Sequence, residues 1–165
     1  MTAILNKQIR LVARPHGPVK DEDFQFTEEP VPELGENQVL LQNLYFALDP
    51  ALRGWMDDFN ESYIPPVELG AVMSASCISR VIESNNADFP VGTIVRGLGG
   101  WELYCVVGSS GSRQVPCLEV ITPLEGIAMS NYLSICGSTG LTSYFGVERV
   151  MQRAAGESFL FIFEL

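Results

Sequence analysis

The strongest constraint on the fold is a series of short apolar–polar runs, each cut by proline or glycine, that fills most of the chain. Residues 8–14, 24–29, 38–45, 73–83, 93–98, 101–107 and 113–115 read as strands, because alternating and β-branched positions suit a pleated surface. Pro30 and Pro32 close the second run, Gly35 launches the third, and Gly99-Gly100 is expected to end the fifth. Asp49-Pro50 ends an extended stretch, and residues 51–56 are expected to form a short helical turn. After Pro123 the period changes. Residues 124–135 place Ile127, Tyr132 and Ile135 at helical spacing, and Leu141, Tyr144, Phe145 and Met151 suggest a second helix. Arg149 and Arg153 in its last turn suit the negative end of the helix dipole. A final apolar run, residues 158–165, follows Gly156 and reads as a strand. The expected architecture is therefore mainly β with α: a small β-barrel over residues 1–123, then a helical connection and the start of a new unit over residues 124–165.

Composition narrows the function. The 165 residues are 47% hydrophobic, which suits a packed core and not a disordered chain. A net charge of −10 argues against nucleic acid and against an anionic membrane surface, since both require clustered Lys and Arg. No run is long and apolar enough for a transmembrane helix, and residues 1–14 lack the pattern of a secretory signal. A cytoplasmic protein is the default expectation.

The four cysteines, Cys77, Cys105, Cys117 and Cys136, form no Cys-x-x-Cys pair and fit neither a zinc site nor a dense disulfide framework. They read as small buried hydrophobes kept reduced. The single histidine, His16, lies in the Pro- and Gly-rich loop Arg14-Pro15-His16-Gly17-Pro18 and reads as solvated.

An ordered set of motifs then carries a resemblance. Arg14-Pro15-His16-Gly17, Val31-Pro32-Glu33-Leu34-Gly35-Glu36, Leu48-Asp49-Pro50 with Arg53-Gly54, and Pro65-Pro66-Val67-Glu68-Leu69-Gly70 come first. Phe89-Pro90-Val91-Gly92, Gly99-Gly100-Trp101 and Gly140-Leu141-Thr142-Ser143-Tyr144-Phe145-Gly146 follow in the same order. The chain resembles the N-terminal catalytic domain of medium-chain dehydrogenases/reductases, in the zinc-independent branch of prostaglandin, alkenal double-bond and curcumin reductases. That resemblance implies a chaperonin-10-like (GroES-like) β-barrel, two helices, and the first strand of a Rossmann domain. It implies an oxidoreductase in which NADPH delivers hydride to the β-carbon of an α,β-unsaturated ketone or aldehyde. The zinc-binding relatives carry Cys and Gly-His-Glu ligands where this chain has Tyr45-Phe46-Ala47-Leu48-Asp49 and Val67-Glu68-Leu69-Gly70, so no metal is expected.

Such chemistry needs no strong nucleophile, only groups that hold the cofactor against the alkene and stabilise charge on the carbonyl oxygen. Among the residues the resemblance singles out, Tyr45 is a candidate hydrogen-bond donor to substrate and Trp101 a candidate wall of the substrate pocket; each also reads as a core aromatic. Gly140, Thr142 and Tyr144 are the candidate cofactor-facing residues, with helix initiation and packing as the other reading. Asp49 is expected to cap the turn that follows it, and Arg53 to pair with Asp49 or face the cleft. Ala51-Leu52 stands where relatives often carry Tyr-Met, which widens the pocket; Cys136-Gly137-Ser138-Thr139 departs from a common Met-Pro pair.

The final run is expected to need partners. As the first strand of a parallel sheet, Phe159, Leu160, Phe161, Ile162 and Phe163 would have neighbours on both sides, so a 165-residue chain is expected to self-associate or to show a poorly ordered tail, and to bind NADP(H) weakly alone. The residues that would separate NADP from NAD, the identity of the enone or enal, and a homo-oligomeric state stay open. So does a non-enzymatic reading as a truncated homologue that acts as a binding or interaction domain. If the zinc-independent assignment holds, elemental analysis after dialysis will find no stoichiometric zinc; a full equivalent per chain would refute it.

Overall fold

The computed structural model describes residues 4–58, 64–108, 118–151 and 156. Strand β1 (Leu5–Leu11) pairs antiparallel with β2 (Phe24–Pro30), from Leu5 opposite Pro30 to Leu11 opposite Phe24. Pro30, which has no N–H to donate, sits at the strand's end where the ladder can spare one. Five further strands form an antiparallel sheet: β3 (Val39–Phe46), β4 (Ser74–Ser84), β5 (Ile94–Gly100), β6 (Tyr104–Val107) and β7 (Glu119–Val120), in the order β6-β3-β4-β5-β7.

β1 also bonds along its other edge. Met73 donates its N–H to Ile9 O (3.0 Å), Ile9 to Trp101 O (2.8 Å), Leu11 to Ala71 O (3.0 Å) and Leu103 to Lys7 O (3.0 Å). These bonds join the two sheets into one wrapped β layer, and a strand bonded on both edges presents no free ladder. Side chains reinforce the seam. Asn6 is buried, with Nδ2 donating to Glu102 Oε2 (3.0 Å) and Tyr104 O (2.8 Å) while its Oδ1 accepts from Tyr104 N (2.9 Å).

Two apolar clusters fill the layer. Val39, Leu41, Val81, Phe89, Val95, Cys105 and Val107 form one. Leu11, Leu52, Trp55, Met56, Val67 and Met73 form the other, flanked by Phe24, Leu98 and Trp101. Helix α1 (Ala51–Trp55) belongs to the second cluster through buried Leu52 and Trp55.

Most strands lie within a residue or a few of their expected bounds, but five expectations need correction. β5 does not stop at Gly99-Gly100; it runs through both, with Gly99 opposite Ala75 and Gly100 opposite Ser74. A Cβ on Gly99 would press against Cys77 Sγ, so glycine here permits close strand approach instead of breaking the strand. Residues 124–135 are not one helix: a turn at Gly126 (φ +77°) precedes a 3₁₀ helix confined to Met129–Leu133. The residue that precedes α1 is Pro50, no side chain caps this helix, and Asp49 contributes only its backbone oxygen to Leu52 N (3.0 Å). Arg53 pairs with Asp57 (2.7 Å), one helical turn on, and donates to Pro15 O (2.9 Å), which ties the His16 loop to α1. The short strand β7 was not anticipated. The expected strands over 113–115 and 158–165, together with Cys117 and Arg153, lie outside the described residues. Among the described cysteines Cys77 and Cys105 are buried, whereas Cys136 is exposed, contrary to the uniform burial expected.

Asn43 holds the distortion that turns β3 toward its end. The register of β3 against β4 shifts between Asn43 and Tyr45, and Asn43 Nδ2 donates to Gly100 O (3.2 Å) and Glu102 O (2.8 Å) while accepting from Ser79 Oγ (2.7 Å). Asn43→Ala removes three hydrogen bonds, so we expect a loss of about 1–3 kcal/mol in urea unfolding; an unchanged midpoint would show that water replaces the amide.

Candidate functional site

The end of β3 leads through Asp49 to a cavity of about 290 Å³ between the β layer and the chain before α2 (Ser138–Phe145). Asp49, Ser76 and Leu98 line it from the β side, and Tyr132, Ser138 and Leu141 from the helical side. Arg96, on β5, spans the two. Its Nε donates to Glu119 (3.1 Å) on β7, and its Nη1 to Tyr132 O (2.9 Å) and Cys136 O (3.2 Å). Tyr132 in turn accepts at its hydroxyl from Leu124 N (2.8 Å). Arg96 and Glu119 were not singled out from sequence, and Tyr132 was read only as part of a helix face. The available signal was a single arginine inside an otherwise apolar strand run.

Helix α2 begins after an uncapped Gly137 and buries none of its residues. Its apolar side chains Leu141, Tyr144 and Phe145 are 52%, 59% and 49% exposed, and Tyr144 and Phe145 meet edge to face at 5.3 Å. The helix continues into a π-helical turn, Gly146–Met151. Gly140 is needed for a close approach, but to the chain itself: a Cβ there would overlap the carbonyl of Ile135. Thr142 Oγ1 donates to Ser138 O (2.8 Å), which commits its proton and leaves its lone pairs as acceptors. Gly140, Thr142 and Tyr144 thus share one helix bordering the cavity.

The two substrate candidates lie apart from that cavity's lining. Tyr45 is 46% exposed near the end of β3. Trp101 lines a different cavity of about 420 Å³, with Ile9, Phe26 and Phe46 among its walls. Its ring stacks on Phe46 at 6.0 Å and tilts against Phe24 at 5.4 Å. Its backbone lies in the seam of β1, and its buried indole N–H has no hydrogen-bond partner among the described residues. Side chains alternate along a strand, so Phe46 reaching Trp101 directs neighbouring Tyr45 elsewhere. Tyr45 is not among the residues that line the Trp101 cavity. Among the described residues, no group of three or more His, Cys, Asp or Glu side chains is placed to hold a metal ion. No described helix is long and apolar enough to cross a membrane.

The family described as the N-terminal domain of oxidoreductase matches residues 7–115, and the chain belongs to it. Within the medium-chain dehydrogenases/reductases it falls in the zinc-independent branch, as its motifs suggested. It is 39% identical over 153 residues to the NADPH-dependent curcumin reductase of Escherichia coli, covering 93% of this chain and 42% of that protein. Prostaglandin reductase 1 of Rattus norvegicus is 31% identical over 140 residues, covering 85% of this chain and 39% of that protein. The solved structure of CurA from Vibrio vulnificus in complex with NADPH superposes with a TM-score of 0.72 at 33% identity, covering 86% of this chain and 40% of that one. The chain thus spans about two fifths of the length of these relatives.

Gly140→Ala must displace the backbone at Ile135, and overpacking of this kind costs about 1–3 kcal/mol. We expect the loss to appear as faster amide exchange around residues 134–142, with β3 and β4 unaffected; uniform protection would show that the turn adapts freely.

Proposed function

We propose that the chain is the substrate-side part of an NADP-dependent oxidoreductase that reduces the C=C bond of an α,β-unsaturated ketone or aldehyde without a metal. On this reading residues 1–123 are a GroES-like substrate domain, and residues 124–165 connect it to a nucleotide-binding unit. The observation that carries the reading is the uncovered apolar side of α2, with Leu141, Tyr144 and Phe145 about half exposed beside the cavity. An apolar helix face of this size calls for a covering partner. A relative with NADPH in its name, more than twice as long as the match, suggests the chemical class of that partner.

The residues present suit one edge of a nicotinamide ring. Leu141 offers an apolar wall, Thr142 an acceptor for the carboxamide N–H, and Tyr144 an aromatic surface. When bound, NADPH would supply hydride to the electron-poor alkene carbon. Tyr45 would hold the substrate carbonyl by donating its phenolic hydrogen to the oxygen where negative charge grows. Trp101 would wall a more distant part of the substrate beside Phe46. The β layer and α2 would together exclude water from the reacting carbons.

Joining this chain to the nucleotide-binding part of the Escherichia coli relative should give a protein that oxidises NADPH with an enone; no turnover would overturn the reading. In that protein Tyr45→Phe should lower kcat about a hundredfold while stability stays within about 0.5 kcal/mol, because the ring remains. Parallel losses of melting temperature and activity would assign Tyr45 to packing instead.

A further inference from the structure

We propose that Arg96 is a positioning residue: by gripping the turn before α2, it sets where that helix starts over the cavity. The grip stands on geometry alone, while its consequence for the cofactor rests on the function proposed above.

Helix α2 has no buried residue of its own, so its placement depends on the segment that precedes it. That segment makes a tight turn, with Cys136 N on Asn131 O (2.9 Å), Gly137 N on Ser134 O (2.9 Å) and Gly140 N on Ser134 O (3.1 Å). The turn is coherent within itself, but these bonds do not fix it to the β layer. Arg96 does. One guanidinium nitrogen donates to the carbonyls of Tyr132 and Cys136, which bracket the turn. The opposite edge of the guanidinium is held by Glu119, the residue directly across from Arg96 in the β5–β7 ladder. Gly137 makes room for this: a Cβ there would meet Tyr132 O at 2.8 Å and the guanidinium at 3.4 Å.

Four of the five N–H groups of Arg96 are engaged, two by Glu119 and two by the turn. Little donor capacity is left for a phosphate or a substrate oxygen, so the group acts through the chain it holds. The rigid planar fork matters, because two carbonyls and a carboxylate must be satisfied in fixed directions. A lysine ammonium at the end of a flexible stem reaches one of them at a time. The turn bonds are charge-assisted, and the one to Tyr132 O is partly buried while the one to Cys136 O is exposed, so their loss should be felt locally.

The 165-residue chain supplies the first test. In Arg96→Met, amides of residues 131–142 should exchange about tenfold faster, with β3 and β4 unchanged. Arg96→Lys should fall between Met and the parent, and Glu119→Gln should give a smaller effect of the same pattern. Unchanged exchange in residues 131–142, or faster exchange spread evenly over the whole chain, would overturn the grip. The second test uses the chain joined to a nucleotide-binding domain. Arg96→Met should raise KM for NADPH about tenfold with kcat within about threefold, and Arg96→Lys should recover part of it. Lower kcat at unchanged KM is what a reduced folded fraction gives, and would overturn the positioning role. An inactive parent fusion would count against the proposed function alone, and amide exchange would still decide whether Arg96 holds the turn.

Discussion

The double-edged pairing of β1 is the constraint on which the rest depends. Without the bonds from Ile9, Leu11, Met73 and Leu103, the β1–β2 ribbon would be a separate two-stranded unit, marginal by itself. With them, the ribbon covers the cluster containing Leu11, Met73 and Trp55, and α1 has a surface to pack on. The same bonds hold Trp101 in place, because its N–H goes to Met73 O and its carbonyl accepts from Ile9 N. The seam is polar where it must be. Asn6 and Gln8 both donate to Glu102 Oε2 at 3.0 Å, so that carboxylate joins β1 to the stretch before β6.

The strands were legible because period-two patterning and proline breaks act locally. β1 to β6 follow from it to within a few residues. Glycine was the weak point. Gly99 and Gly100 carry a breaker signature, yet their value is steric: they let β5 lie against Cys77 on β4. Which meaning applies depends on the neighbouring strand, and sequence periodicity does not contain it. The helical part failed for a related reason. Apolar spacing over residues 124–135 satisfies a helix, but Gly126 at φ +77° turns the chain before the spacing is used.

The candidate site was legible only as types of residue. Tyr45, Trp101, Gly140, Thr142 and Tyr144 were placed by family motif, and their surroundings separate them into a helix beside one cavity, an aromatic in another, and an exposed tyrosine near a strand end. Thr142 shows why. Whether its hydroxyl donates or accepts depends on the carbonyl of Ser138 four residues back. Arg53 makes the same point: Asp49 and Asp57 are equally distant from it in sequence, and its carboxylate partner is Asp57.

Arg96 escaped notice because its role is made of backbone atoms. Tyr132 and Cys136 contribute carbonyls, and any residue at those positions offers the same acceptor. Only Glu119 adds side-chain chemistry, and it lies in a two-residue strand too short to announce itself. A cleft whose far wall is a helix with no buried residue cannot rely on packing to keep its width. It must be held from the near side by directed bonds, and a guanidinium, with several donors in one rigid plane, is the side chain best suited to that task. On the proposed reading, the fold places its most directional donor where the hydrophobic effect has least to offer.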